Sequence, residues 1–273
     1  MKKRIMGLLM AFTLANSILL TGCGAGKTTS TSNDQLATIK ANGKIVIAME
    51  GQWAPWTYHD ETGELVGFDT EVGKAIADKL GVEAEFIEGD WDGLFTGLDT
   101  GRYDMIINGV EITDERADKY DFTTPYAFIR TAIVTAEDYN DINSFEDLNG
   151  KQTSNSLGST YADLATEYGA TVQNVSTLSE TIDMVLSGRV DATLNAEVSF
   201  YDYLSEHPDA PIKIVALTND ASYVSIPLRK GEESASLQEA INKAIIELEE
   251  DGTLSALSIK YFGSDITKEK VNE

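Results

Sequence analysis

The stretch of sequence that decides the fold is Asn108-Gly109-Val110-Glu111-Ile112-Thr113-Asp114-Glu115-Arg116. The apolar run Met105-Ile106-Ile107 before it predicts a buried strand that ends at Asn108. Thr113 followed by two acidic residues is typical of a helix N-terminus. A strand, a short loop and a helix start with an arginine together predict an anion site at the carboxyl end of a sheet strand. The alternative is that Arg116 pairs only with acidic side chains of its own surface helix.

The N-terminus has the features of a secretory signal. A basic start, Met1-Lys2-Lys3-Arg4, precedes an apolar run, and we place the signal at residues 1–22. Cys23, the only cysteine, follows Leu20-Thr21-Gly22, which resembles the lipobox where bacterial lipoproteins are cut and lipidated. We therefore predict lipid on Cys23, which attaches the protein to the extracellular face of the cell membrane, and a flexible tether over residues 23–35. The alternative is a plain signal peptide with an incidental cysteine.

Composition excludes several function classes. The chain has 21 basic and 45 acidic side chains, and loss of the signal would leave 18 basic ones and a balance of −27. Such acidity argues against nucleic-acid binding and against electrostatic adhesion to anionic lipid. A single cysteine excludes an internal disulfide and a cysteine-based metal cluster. Neither histidine has a neighbouring ligand at helical spacing, and no Gly-x-Ser-x-Gly motif occurs, so we predict neither a zinc site nor a serine hydrolase.

From Lys44 onward, apolar strands alternate with amphipathic helices. The predicted segments are strands at 44–49, 83–87 and 105–108 and helices at 70–80 and 91–100. This β-α-β-α-β order predicts a parallel sheet with right-handed crossovers. After the first strand, residues 50–56 are expected to form an aromatic loop and residues 58–63 a turn.

The alternation restarts after residue 130, and one segment of the first half is echoed in the second. The two copies are Gly101-Arg102-Tyr103-Asp104-Met105-Ile106-Ile107-Asn108 and Gly188-Arg189-Val190-Asp191-Ala192-Thr193-Leu194-Asn195. Each follows an apolar helix and ends a strand with asparagine, so we interpret the echo as one helix-to-strand turn used in two related lobes. If the lobes face each other, Asn108 and Asn195 meet across a cleft.

We therefore predict an α/β protein of two lobes, each a mostly parallel sheet flanked by helices, joined by a two-segment hinge. Lobe I is assigned residues 36–129 and 222–273, and lobe II residues 130–221. The hinge is expected near residues 128–133 and 217–224.

A set of short motifs follows in order along residues 44–263. They are Trp53-Ala54-Pro55-Trp56, Gly67-Phe68-Asp69, Trp91-x-x-Leu94, Gly101-x-x-Asp104, Ile112-Thr113-x-x-Arg116, Phe122-Thr123-Thr124-Pro125-Tyr126, Gly158-Ser159-Thr160 and Gly188-Arg189-x-Asp191. In this order they resemble the polar amino-acid-binding family of extracellular solute-binding proteins, which feed ABC importers. Within that family, Asp191-Ala192-Thr193-Leu194-Asn195 with Asp202-Tyr203-Leu204 is most similar to cystine-binding lipoproteins.

The resemblance implies a monomeric receptor that binds a polar amino acid, cystine in the narrower comparison. It would deliver the ligand to an ABC permease by cleft closure, without a cofactor. By position, the family's ligand contacts fall on Arg116 with the backbone of Gly109 and Glu111, on Ser159 and Thr160 in the second lobe, and on Glu50, Trp53 and Trp91 around the ligand side chain. The strand-end residues Asn108 and Asn195 complete the predicted site.

Two positions depart from the family pattern. Many members have a small hydroxyl residue at position 111 and an aspartate at 196 that receives the ligand's ammonium, whereas this chain has Glu111 and Ala196. A hydrogen bond to a charged group contributes about 1.5–3 kcal/mol, so a replacement acid is expected. Glu111 is the first candidate and Glu197 the second, unless the ligand has no α-amine. The sequence leaves open whether Arg130, near the hinge, contacts ligand or braces the lobes.

Two other function classes stay open from the sequence. One is a sensor module that docks on a receptor. The other is a dehydratase, because the same fold serves a few enzymes of that kind, and Glu111 would then be an acid in an enclosed cleft. We expect a binding protein first, a sensor second and an enzyme third.

Overall fold

The computed structural model of the protein describes residues 34–269. The predicted signal at residues 1–22, the lipidation site Cys23 and most of the predicted tether lie outside this range. Gln35, placed at the end of the tether, begins a helix instead and is buried, with its side-chain amide donating to Asp104 at 3.1 Å. Contacts within the chain group the described residues, 34–269, into one compact unit.

Helices and strands alternate along the described residues. The nine helices in this range are α1 (Gln35–Asn42), α2 (Phe68–Leu80), α3 (Trp91–Asp99), α4 (Asp114–Lys119), α5 (Thr160–Glu167), α6 (Leu178–Leu186), α7 (Glu197–Glu206), α8 (Ala235–Glu250) and α9 (Thr253–Phe262). The strands are β1 (Lys44–Met49), β2 (Gln52–Trp53), β3 (Thr57–His59), β4 (Leu65–Val66), β5 (Glu83–Glu88), β6 (Met105–Ile106), β7 (Tyr120–Phe122), β8 (Ala127–Ile129), β9 (Thr131–Ala136), β10 (Gln152–Asn155), β11 (Thr171–Asn174), β12 (Thr193–Ala196), β13 (Ile212–Leu217), β14 (Ser222–Val224) and β15 (Pro227–Arg229). Within residues 34–269, no helix is both long and apolar enough to span a bilayer.

The first lobe is built on a parallel sheet of order β5-β1-β6, as the β-α-β-α-β pattern predicts. The central strand β1 buries Ile45 and Ile47 completely. Helix α2 ends at Gly81, whose φ of +69° suits a left-handed C-cap. The C-terminal helices α8 and α9 pack against α2, so the end of the chain returns to this lobe.

The segment after β1 differs from the prediction. The aromatic loop and turn expected over residues 50–63 form part of the antiparallel meander β2-β3-β4, in which Trp53 pairs with Thr57 and His59 with Leu65. These strands have only two or three residues, which is too short for apolar and polar alternation to show in the sequence. Helix α2 also begins at Phe68, two residues before the predicted start at Thr70.

The second lobe combines both strand directions. β10 and β11 are parallel, and Thr153 of β10 bridges Ala192 beside β12 in parallel register. β9 runs antiparallel to both β12 and β13. β9 follows β8 directly, without a helix between them. Because no helical crossover precedes β9, nothing requires this strand to run parallel to its neighbours in the sheet. The parallel pairing expected of this lobe is therefore found only among β10, β11 and β12.

The internal echo has the same structural role in both lobes. The backbone of Asp104 donates to the carbonyl of Val46, and its carboxylate accepts the Val46 N–H at 2.8 Å. Asp191 makes the same pair of hydrogen bonds with Gln152, again with a carboxylate distance of 2.8 Å. The glycines that begin the two copies have φ values of +71° and +67°. The repeated sequence thus ties β6 to β1 and β12 to β10 in equivalent ways.

Two antiparallel strand pairs lie where the chain passes between the lobes. β7 pairs with β15, and β8 pairs with β14. The segment from residue 222 to 229 thus forms two strands, β14 and β15, each with its own partner.

Candidate functional site

The carboxyl ends of strands from both lobes meet at one cavity. β1 leads into Glu50, β6 leads toward Asn108, β10 ends at Asn155, and β12 carries Asn195 near its end. The space between the lining atoms, including the open mouth, is about 580 Å³. Among residues 34–269, no three histidine, cysteine or acidic side chains are grouped so that they could hold a metal ion.

All ten site residues predicted from the sequence line this cavity: Glu50, Trp53, Trp91, Asn108, Gly109, Glu111, Arg116, Ser159, Thr160 and Asn195. Eight further lining residues were not predicted: Gln52, Asn155, Ser156, Tyr161, Ser176, Thr177, Leu178 and Thr181. Two signals in the sequence could have indicated some of them. Asn155 ends a strand as Asn108 does, and Thr177 starts a helix directly after a strand.

The guanidinium of Arg116 is held by neutral groups. It donates to the carbonyl of Glu111 at 2.9 Å and to the carbonyl of Gly158 at 3.0 Å. Its central carbon lies 5.2 Å from the centroid of the Trp91 ring. Burial lowers the pKa of Arg116, and within the described residues it forms no ion pair.

This arrangement decides between the two interpretations of Arg116. On helix α4 the carboxylate of Glu115 pairs with Lys119 at 2.7 Å and not with Arg116. A half-buried cation whose hydrogen-bond partners are carbonyls and whose face contacts aromatic rings retains most of its capacity to bind an anion. The geometry therefore favours an anion site over a surface ion pair.

Gly109 lets the backbone pass close beside an aromatic ring. Its φ is +56°, and a Cβ at this position would lie 2.6 Å from the Trp53 ring. Its N–H donates to the carboxylate of Asp69 at 2.6 Å, and the Tyr126 hydroxyl donates to the same carboxylate at 2.9 Å. The amide of Gly109 is thus already used, so only its carbonyl is left for the ligand contact predicted at this backbone.

Two hydrogen bonds join Glu50 and Asn108 at the cavity wall. The Asn108 side chain accepts the Glu50 N–H at 2.7 Å and donates to the Glu50 carboxylate at 2.6 Å. Burial raises the pKa of Glu50 to about 7 despite the hydrogen bond from Asn108, and the like charge of Asp90 raises it further. Glu50 is therefore an acid that titrates near neutral pH at the cavity wall.

Of the two acids proposed to replace the missing aspartate, only Glu111 reaches the cavity. Glu111 is 4% exposed, and its carboxylate accepts a hydrogen bond from the Thr160 hydroxyl. Glu197 instead accepts two hydrogen bonds from Arg130, at 3.2 and 2.6 Å, and is not among the lining residues. The same pair shows that Arg130 is held by Glu197 outside the cavity.

Two lining residues carry a buried polar atom that has no hydrogen-bond partner within residues 34–269. These atoms are Trp53 Nε1 and Asn155 Oδ1. Buried polar groups are nearly always paired, and each unpaired one costs about 1–3 kcal/mol. A donor and an acceptor are complementary to a ligand with donors and acceptors of its own.

Comparison with known proteins agrees with this chemistry. The model of the family described as bacterial extracellular solute-binding proteins, family 3, matches residues 45–264. The L-cystine-binding protein TcyA of Bacillus subtilis (strain 168) is 39% identical over 274 residues, which cover 98% of this chain and 100% of TcyA.

Two solved structures are also similar. An ancestral arginine-binding protein bound to arginine matches with a TM-score of 0.75 and 38% identity, over 81% of this chain and 99% of the other. The L-cystine solute receptor of Neisseria gonorrhoeae, in its unliganded open conformation, matches with a TM-score of 0.58 and 36% identity, over 86% and 99%. The family and these relatives are binding proteins of amino-acid transport rather than enzymes, as the sequence predicted. The chain belongs to family 3 of the bacterial extracellular solute-binding proteins.

Proposed function

We propose that the protein is a lipid-anchored receptor that binds L-cystine outside the cell and delivers it to an ABC importer. The observation that carries the proposal is Arg116, a half-buried cation that forms no ion pair within residues 34–269 and lines a cavity that also holds two unpartnered polar atoms, Trp53 Nε1 and Asn155 Oδ1. A carboxylate is the natural partner of such a guanidinium. The names of TcyA and of the gonococcal receptor support cystine as the amino acid.

In this proposal, Glu111 receives the ligand's ammonium in place of the acid that many relatives have at position 196. Ala196 has no charged side chain, and the Glu197 carboxylate is already hydrogen-bonded to Arg130. Glu111 is buried beside Arg116, so a carboxylate and an ammonium on one carbon of the ligand would each meet the opposite charge. Such a buried pair of contacts favours a zwitterion over a simple acid or amine.

Ligand capture would proceed by closure of the two lobes, with lobe I at residues 36–129 and 222–273 and lobe II at residues 130–221. Three hydrogen bonds within residues 34–269 join these segments: Arg116 with Gly158, Glu111 with Thr160, and the Trp56 indole with the Ser199 hydroxyl at 3.1 Å. The higher TM-score with the arginine-bound protein than with the open receptor supports a closed arrangement here. We propose that ligand first binds lobe I and that lobe II then rotates onto it.

Anchoring would come from lipid on Cys23. An acyl chain at this position would hold the receptor at the extracellular face of the membrane while residues 33–273 bind ligand. Cys23→Ala should release the protein from cells into the medium, whereas an unchanged membrane fraction would exclude this anchor.

The test of ligand identity is a thermal-shift screen of residues 33–273 against all amino acids and L-cystine. Ligand at a hundred times its dissociation constant adds about 2.7 kcal/mol to the folded state. For a protein of this size that raises Tm by on the order of 5–10 °C. A shift with cystine supports the proposal, a shift with another amino acid replaces the ligand, and no shift with any of them refutes amino-acid binding.

A further inference from the structure

We infer that the cavity contains a second head-group subsite at the start of helix α6, which takes the far carboxylate and ammonium of a ligand with two amino-acid ends. The inference rests on the proposed function and narrows its substrate class to such two-headed amino acids.

The start of α6 forms part of the cavity wall. Thr177 is the N-cap of this nine-residue helix, and Thr177 and Leu178 both line the cavity. The Thr177 hydroxyl accepts the N–H of Glu180 at 3.3 Å, and the first N–H groups of a helix have no partner within it. The amide of Leu178, a lining residue at the first helical position, is therefore available to an anion in the cavity, and the helix dipole favours one there.

Asn155 provides an independent indication of a ligand at the same place. It is 2% exposed, lines the cavity, and its Oδ1 has no partner within residues 34–269. The orientation of the amide is fixed, because Nδ2 donates to the Leu194 carbonyl at 2.6 Å and a carbonyl can only accept. Oδ1 is therefore an unpaired acceptor on a residue that lines the cavity, and a donor such as an ammonium would satisfy it.

The backbone places Asn155 next to the segment that leads into α6. Asn155 pairs with Asn174 in the parallel β10–β11 ladder, and its carbonyl accepts the N–H of Val175 at 3.2 Å. The chain then passes through Ser176, another lining residue, to Thr177. An acceptor for an ammonium and free amides for a carboxylate thus lie in adjoining parts of one wall.

The distribution of charge around the cavity agrees with a second head-group subsite on the wall that contains Asn155 and Thr177. The charged residues that line the cavity all come from the first-lobe segments: Glu50, Glu111 and Arg116. The lining residues from the second-lobe segments are neutral, and most of them are polar. The Glu180 carboxylate accepts a hydrogen bond from the Thr177 hydroxyl at 3.1 Å but does not line the cavity. A neutral polar wall suits a zwitterionic head, which carries no net charge.

A matched pair of substitutions at Leu178 isolates the amide contact. Leu178→Pro removes the N–H at the first helical position, where proline is well accepted, and Thr177 before it has the extended φ of −119° and ψ of 148° that proline requires. Leu178→Ala removes a similar amount of side chain and keeps the N–H. The difference in affinity between the two variants therefore reports the contribution of the amide N–H and not the loss of leucine packing.

The experiment is calorimetric titration of wild type and both variants with L-cystine and with S-methyl-L-cysteine, which has one head. We expect Leu178→Pro to bind cystine roughly 10- to 100-fold more weakly than Leu178→Ala does, and both variants to bind S-methyl-L-cysteine alike. A mixed disulfide of cysteine with 3-mercaptopropionate, which lacks the second ammonium, should bind wild type at least roughly tenfold more weakly than cystine.

Other outcomes separate the two proposals. If wild type binds S-methyl-L-cysteine as tightly as cystine, or the two Leu178 variants bind cystine equally, the second subsite is refuted and amino-acid binding stands. Binding of another amino acid without cystine also refutes the subsite. Failure of wild type to bind any amino acid refutes the proposed function and the subsite together.

Discussion

The hydroxyl of Thr160 donates a hydrogen bond to the carboxylate of Glu111, which joins the first lobe to the first residue of helix α5. Arg116 donates to the Glu111 carbonyl and not to its carboxylate, although the negative charge of Glu111 is close enough to raise the pKa of Arg116 against the effect of burial. A buried carboxylate opposite a neutral donor is a strong acceptor for a ligand's ammonium.

Glu111→Gln should weaken binding of amino acids at least about tenfold, because the amide keeps the shape but loses the charge that faces the ammonium. Calorimetric titration measures the affinity, and Tm shows that the variant is folded. Glu115→Gln is the matched control, since Glu115 lies four residues away on the surface and pairs with Lys119. Wild-type affinity in Glu111→Gln would exclude Glu111 as the partner of the ammonium.

Arg116→Lys tests whether the carboxylate is held by a planar guanidinium. Lysine keeps the charge but cannot form two parallel hydrogen bonds or stack on the Trp91 and Phe95 rings in the same way. We expect affinity to fall by roughly tenfold or more, with little change in Tm. Arg102→Lys is the control, because Arg102 is exposed and also lies over an aromatic ring, that of Tyr103. Equal affinities of the two variants would contradict a carboxylate clamp at Arg116.

Gly109→Ala should distort the aromatic wall of the cavity. Both Gly109 and Gly43 have positive φ values, +56° and +71°, so alanine costs about 1–2 kcal/mol of backbone strain at either site. A Cβ at Gly43 would meet nothing within 4 Å, whereas at Gly109 it would press on the Trp53 ring. Gly109→Ala should therefore lose roughly 1–3 kcal/mol more stability than Gly43→Ala, and only Gly109→Ala should weaken ligand binding.

Urea unfolding of the two glycine variants and titration with ligand check this prediction. Equal losses of stability would show that Trp53 moves aside at no cost. Unchanged affinity in Gly109→Ala would show that the ring does not help to form the ligand site.

The features that the sequence predicts best are those set by local residue patterns and by the direction of the strands. Apolar runs and helix caps locate β1, β5 and β6, and parallel strands bring their carboxyl ends to one edge of a sheet. That is enough to place Asn108 and Arg116 near a ligand. The Gly-Arg-x-Asp echo indicates the second lobe, because Asp104 and Asp191 bind neighbouring strands through the same backbone contacts.

Contacts set by tertiary pairing could not be predicted in this way. The sequence indicates a strand end at Asn155 and a helix start at Thr177, but their place on one common wall follows only from the pairing of β10 with β11. β9 runs antiparallel to its neighbours because the chain enters it from the hinge. The apolar periodicity of the sequence does not indicate this direction. The ion pair between Glu197 and Arg130 likewise depends on how α7 packs against the first residue after β8.

The buried carboxyl of Asp69 predicts a specific pH dependence of stability. Burial raises the pKa of Asp69 from 3.8 to about 7, against the lowering effect of its hydrogen bonds from Tyr126 and Gly109. The folded protein therefore keeps this proton at pH values where the unfolded chain has lost it. The resulting stabilisation is complete below about pH 4 and is lost as pH rises toward 7, by at most about 1.4 kcal/mol per pH unit.

Asp69→Asn removes this titration while it keeps both contacts, because the amide oxygen can accept from Gly109 and the amide nitrogen can donate to the Tyr126 oxygen. The free energy of unfolding of Asp69→Asn minus that of wild type should rise between pH 4 and 7 and level off above 7. Urea unfolding from pH 4 to 8 measures it. Asp78→Asn, exposed on the same helix, should follow the wild-type curve. A constant difference between Asp69→Asn and wild type would show that Asp69 is already ionised across this range and that Gly109 and Tyr126 outweigh its burial.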